Sequence, residues 1–162
     1  MIEYPKDWKA DGGGKQGVQW ATFTKGSATI DVTVSFSESV MGDILKQNSA
    51  GGILDPGADA TDEDVPPPVA IIHEAKKKDY EKDYTGYEEK EAVAVRAPLG
   101  EGRKSEFEAA KAFGRTHGYR TTFLDNDRGV TVICQCAESD WNAMQAAFDK
   151  ILSGIARGRK GQ

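Results

Sequence analysis

Cys134 and Cys136 are the first residues whose spacing suggests chemistry, because a C-x-C pair can hold a soft metal or take part in redox exchange. They sit in Val130-Thr131-Val132-Ile133-Cys134-Gln135-Cys136, a run of strand formers. On a strand, positions two apart share a face, so both sulfurs line up with Val130 and Val132. A zinc site needs about three or four ligands, and neither His73 nor His117 stands at ligand spacing from the pair. The expectation is two free thiols packed in a core. His73 falls on a helical segment and His117 on a turn or strand start. With no G-x-S-x-G motif and no evident base partner, no catalytic residue is assigned. Gly12-Gly13-Gly14-Lys15 has the look of a phosphate loop but lacks the G-x-x-x-x-G-K-[ST] pattern, and a flexible loop is expected. Asp125-Asn126-Asp127-Arg128-Gly129 could suit calcium. The glycine and glutamate of an EF-hand loop would fall on Val130 and Cys136, so a hairpin turn is the better reading.

The candidate binding residues are Tyr80, Tyr84 and Tyr87, interleaved with Asp79, Glu81, Asp83, Glu88 and Glu89. Aromatic rings among charges make a protein-binding surface. Alternatively the rings pack on a sheet edge and leave their hydroxyls in water.

A chain of 162 residues is long enough to bury a core as one domain. Its 38% hydrophobic and 29% charged residues suit a soluble globular protein. Net charge is -5, from 21 basic and 26 acidic residues, which argues against general nucleic-acid binding. Two cysteines so close together make no disulfide framework. No apolar run approaches the roughly 18 residues of a membrane span, and no signal peptide is visible. The abrupt start suggests a domain excised from a longer protein or a removed leader. A cytoplasmic location is expected only if the chain is complete.

These residues must be positioned by several strands and a few helices. Ile2–Tyr4 reads as a short strand stopped by Pro5, with Trp8 a core anchor. Val18–Thr24 alternates, with Val18 and Trp20 on one face, and Lys25-Gly26-Ser27 turns into the cleanest strand, 28–36. There Ala28, Ile30, Val32, Val34 and Phe36 face one way and Thr29, Asp31, Thr33 and Ser35 the other. Ser39 looks like the cap of a short helix over 40–48. Residues 49–68 are acidic and rich in glycine and proline, as a mobile loop would be. Helical spacing returns over 69–80, with Lys76-Lys77-Lys78 near its C-terminal end. Thr85-Gly86-Tyr87 reads as a turn, 91–97 as a strand ended by Pro98, and 99–104 as a turn. Residues 105–113 are good helix formers but lie between strands, leaving helix and strand both open. Strands are expected at 119–124 and 130–136, and Ser139 caps a final helix ended by Gly158. Trp141, Met144, Phe148, Ile151, Leu152 and Ile155 form its apolar stripe, with Gln145 pointing away.

The chain resembles the PsbP-like (MOG/PsbP) superfamily, as an uncharacterised bacterial-type member. The residues that carry the resemblance are Tyr4-Pro5-Lys6-Asp7-Trp8, the alternating strand 28–36 and Gly102-Arg103-Lys104-Ser105-Glu106-Phe107. Gly118-Tyr119-Arg120, Val130-Thr131-Val132-Ile133-Cys134 and the helix ending Phe148-Asp149-Lys150-Ile151-Leu152-Ser153-Gly154-Ile155 complete it. The resemblance covers most of the chain outside residues 49–68. It implies an α+β fold, an antiparallel sheet of about six strands flanked by helices in an α/β/α sandwich, with residues 105–113 as a strand. That superfamily includes photosystem accessory subunits, GTPase-binding factors and many uncharacterised bacterial proteins, so the fold does not give the function. The expectation is a single domain over 1–162, non-enzymatic and without cofactor or metal, that acts on a protein partner. The alternative is a small-molecule or lipid-binding domain with a pocket between sheet and helices, and an apolar cavity of a few hundred Å³ would favour it.

Overall fold

The computed structural model describes residues 1–36, 66–111, 114–126 and 128–158. Among these residues eight strands form one sheet: β1 (Lys9–Lys15), β2 (Val18–Lys25), β3 (Ala28–Phe36), β4 (Thr85–Glu89), β5 (Val93–Ala97), β6 (Gly100–Lys111), β7 (Gly114–Asp125) and β8 (Arg128–Ala137). Their order is β1-β2-β3-β8-β7-β6-β4, with β5 also paired to β6, and all pairings are antiparallel. Helices α1 (Pro68–Asp83) and α2 (Trp141–Ser153) cover opposite faces. The expected α+β class holds, with eight strands instead of about six. The segment that propensity left ambiguous is the long strand β6, paired with β7 from Gly102↔Phe123 to Lys111↔Gly114. Tertiary pairing overrides its local helix preference.

The α2 face holds the larger core. β3 presents Ala28, Ile30 and Val32 beside Val130, Val132, Cys134 and Cys136 of β8, and Phe148, Ile151 and Leu152 of α2 close over them. Trp8 joins this cluster, its ring edge-on to Phe148 at 6.5 Å. α2 begins after a single tight turn, Glu138–Asp140, so Ser139 is no cap. It ends at Gly154, whose N–H reaches the Ile151 and Leu152 carbonyls, rather than at Gly158. Gln145 does not point away: its Nε2 donates to the Tyr119 hydroxyl at 2.8 Å.

Several expected loops are strands. Gly12-Gly13-Gly14 lies in β1, paired with Ala21, Trp20 and Gln19. A Cβ on Gly13 would stand 3.3 Å from the Trp20 ring, so the bare backbone gives the indole room to lie across the neighbouring strand. Thr85-Gly86-Tyr87 opens β4 as a bulge, with Gly86 at φ +58°. The expected turn over 99–104 shrinks to Pro98 and Leu99, because Ala97 already pairs with Gly100. Ile2–Tyr4 forms no strand; instead the Met1 carbonyl accepts from the Ala156 N–H at 3.1 Å. α1 runs on to Asp83, which leaves Lys76-Lys77-Lys78 mid-helix. The expected helix at 40–48 and the acidic segment up to residue 65 lie outside the described residues.

Candidate functional site

β7 and β8 are covered on both faces, so polar side chains in them are buried rather than solvated. Gly118, Arg120 and Thr122 alternate towards α1, while Tyr119 and Phe123 join the core on the α2 side. Arg120 is 0% exposed. Its Nε donates to Glu89 Oε2 at 2.9 Å, its Nη2 to Glu89 Oε1 at 2.5 Å, and its Nη1 to the His73 carbonyl at 2.7 Å. The Tyr87 hydroxyl donates to Glu89 Oε2. The His73 ring, also 0% exposed, is bonded at both nitrogens: Nδ1 with Thr122 Oγ1 and Nε2 with Ser105 Oγ, each at 2.9 Å. Helix α1 supplies His73, β4 supplies Glu89 and Tyr87, β6 supplies Ser105, and β7 supplies Arg120 and Thr122.

Burial sets the charges here. It drives the His73 pKa down to about 4, and the Arg120 charge adds to the effect, so the imidazole is neutral at pH 7. Burial alone would raise the Glu89 carboxyl, but the Arg120 and Tyr87 hydrogen bonds and the guanidinium charge hold it below its ordinary value. Burial works against Arg120 as well, and Glu89 more than offsets it. Burial and then Glu89 push the Tyr87 phenol up. The Ser105–His73 distance would suit a nucleophile and its base, but Ser105 is only 1% exposed. The arrangement is a clamp: a buried ion pair with its hydrogen bonds satisfied, which ties α1 to the sheet.

Beside the clamp lie the three tyrosines. Tyr87 stacks on Phe107 at 5.1 Å and 28°, and Tyr84 lies 5.7 Å from both rings. Phe107, Ala109 and Ile133 form the small apolar cluster beneath them. Gly118 makes room for it, since a Cβ there would stand 2.9 Å from the Phe107 ring. Tyr84 donates to Gln135 Oε1 at 3.1 Å, and Tyr80 lies 5.5 Å from the Arg120 guanidinium. All three are half-buried, and Tyr80 and Tyr84 line an open groove of about 570 Å³ with Asp31, Thr33, Asp83 and Ile133. Burial raises both phenols, and Asp83 adds to the rise. A second groove, of about 1020 Å³ along α1, mixes Glu74 and Glu91 with Lys77, Lys78, Lys90 and Arg103.

The other sequence candidates lie outside this cluster. Cys134 and Cys136 are free and buried, and burial raises both thiols, Cys136 to about 11. His117 lies inside β7, stacked on Trp141 at 3.9 Å and 7°, with Nε2 2.7 Å from Glu106 Oε1. Asn126 takes the left-handed conformation at the β7–β8 turn. Among the described residues, no group of three or more His, Cys, Asp or Glu could hold a metal, and no helix is long and apolar enough to cross a membrane.

Arg120 and Glu89 escape sequence reasoning. Glu89 sits in the acidic run Glu88-Glu89-Lys90-Glu91, and Arg120 is one polar residue in an alternating strand. The only signal is that alternation sets Arg120 on the face of Gly118 and Thr122, and it does not say that this face is covered.

No family model matches the chain, and no curated protein does. Solved structures do. Cyanobacterial PsbP from Synechocystis sp. PCC 6803 is similar at 16% identity, over 94% of this chain and 83% of that one, with a TM-score of 0.59. LpqN of Mycobacterium tuberculosis, involved in cell envelope biogenesis, is similar at 10% identity over 94% and 79%, TM-score 0.55. A Pseudomonas aeruginosa protein of unknown function is similar at 10% identity over 98% and 92%, TM-score 0.53. At such identities the likeness concerns architecture alone: the chain has a PsbP-like α+β fold, an antiparallel sheet with helices on both faces.

Proposed function

We propose that the chain is a non-enzymatic binding or accessory domain, single over 1–162, that meets a protein partner on the α1 face around Tyr80, Tyr84 and Tyr87. One observation carries this reading. The groove at the end of α1 pairs two tyrosine rings with two carboxylates, Asp31 and Asp83, and no cation among the described residues lines it. Such a groove suits a basic side chain of a partner, its stem or guanidinium plane on a ring and its charge at the carboxylates. The groups that could do chemistry nearby, His73 and Arg120, are engaged in the clamp and out of reach of solvent.

The small-molecule or lipid reading has less behind it. Between the sheet and α2, Ile30, Phe148 and Leu152 are 0% exposed and fill the space. The two grooves beside α1 carry charged residues, where a lipid site would be mainly apolar.

A photoreactive side chain placed at Thr85, which lines the same groove, with a control at the exposed Asn142 on α2, tests the surface in the cells that make the protein. The expected result is a partner captured from Thr85 alone, whose affinity for the purified chain drops at least tenfold with Asp83→Lys. Equal capture at both positions, or affinity indifferent to the substitution, contradicts the reading.

A further inference from the structure

Few side chains hold α1. Of its sixteen residues, only Val69, Ile72 and His73 are buried. The third of these is the one that touches every strand of the clamp directly or through one partner. Its ring bonds to Ser105 of β6 and Thr122 of β7, and its carbonyl takes Arg120 of β7, which holds Glu89 of β4.

The charged groups facing the ring are Arg120 from β7, Glu89 from β4 and Arg103 from β6, two cations against one carboxylate. Both Glu89 oxygens are already taken, one by Arg120 Nη2 and the other by Arg120 Nε and the Tyr87 hydroxyl. Glu89 Oε1 lies 3.8 Å from His73 Nε2, so it faces the ring without bonding to it. A proton on the ring therefore adds a third cation around one carboxylate in a site that water does not reach. Swinging the helix outward lets water solvate the imidazolium, against the burial of Val69 and Ile72, the packing of Tyr80 on the Phe107 cluster and the Arg120 bond to the His73 carbonyl.

We propose that α1 is an acid-released latch: protonation of His73 unseats the helix from β4, β6 and β7 while the rest of the sheet stays folded. The ring loses its proton again as pH rises, so release is reversible. Glu89 gains a proton only below the ordinary carboxylate range, so it keeps its charge at pH 5. Because α1 carries Tyr80 and Asp83, release would also take apart the tyrosine groove. That consequence rests on the partner-binding reading above, whereas the release of the helix does not.

Amide exchange of the whole chain at pH 7.5 and pH 5, corrected for the intrinsic rate at each pH, reads the latch without any partner. From an ordinary histidine value of 6.5 falling to about 4 in the fold, protection over 71–83 should drop about 30-fold between the two pH values. Protection over 130–136 in β8 should stay at least about tenfold above that of α1 at both pH values, because the helix opens while the apolar core on the α2 face stays closed. His73→Gln keeps one donor and one acceptor for Ser105 and Thr122 but does not titrate, so its α1 protection should be the same at both pH values. The latch is overturned if wild-type α1 protection is unchanged, if α1 and β8 are equally protected at pH 5, or if His73→Gln keeps the pH response.

Discussion

On one face of the sheet, α2 buries Trp141, Phe148, Ile151 and Leu152 against Ile30, Val132 and Cys134. On the other, α1 buries two aliphatic side chains and a histidine, and is fastened through Arg120 and Glu89. Apolar docking is indifferent to pH and forgiving of detail. Docking through a buried ion pair is conditional, since every partner must be present and in the right protonation state. The face that carries the candidate partner groove is thus the one whose helix can be let go.

Single replacements should separate the two faces. Phe148→Ala, at a fully buried position, should cost about 3–5 kcal/mol in denaturant melts with nothing nearby able to restore it. Arg120→Met should cost a comparable 3–5 kcal/mol because it strands Glu89 as a buried charge. The contrast lies in the rescue: adding Glu89→Leu should recover most of the Arg120→Met loss, since replacing both members of a buried pair is often near neutral. A double variant as unstable as the single would mean that the clamp is not an isolated pair. Acid comes next. His73 has a lowered folded pKa, so the unfolded chain binds the proton first and stability falls as pH drops from about 6.5 to about 4. Two and a half pH units at about 1.4 kcal/mol each come to roughly 3.5 kcal/mol, which His73→Gln should abolish in melts run across that range. Gln145→Ala should cost only about 1 kcal/mol, the worth of its bond to Tyr119, and a far larger loss would show that α2 also leans on polar contacts. Last, Cys134 and Cys136 should react with a thiol reagent far more slowly in the fold than in denaturant, as their 0% and 2% exposure requires.

The face that is apolar was also the legible one. The stripe from Trp141 to Ile155 has helical period, and 28–36 and 130–136 have strand period, because burial of carbon writes itself into spacing. Resemblance to the PsbP-like superfamily turned residues 105–113 from an open choice into a strand, against the preference of its Glu and Ala residues. What escaped was whatever depends on a second layer. Arg120 is just one polar residue of a strand until α1 is placed over it. Gly12-Gly13-Gly14 reads as a loop until Trp20 lies across Gly13. Gln145 reads as pointing out until Tyr119 stands opposite. The tyrosines were visible as a cluster, but their rings pack on Phe107 while Asp31, from a strand some fifty residues earlier, completes the groove.

The division between the faces is tested most directly by adding an arginine peptide to the isotopically labelled chain at pH 7.5 and following every backbone amide. Binding at the tyrosine groove should shift Asp31, Thr33, Tyr80, Asp83 and Tyr84, leave α2 from Trp141 to Ser153 silent, and vanish with Asp83→Lys. Shifts scattered over other acidic surfaces, or the same shifts in Asp83→Lys, would contradict it.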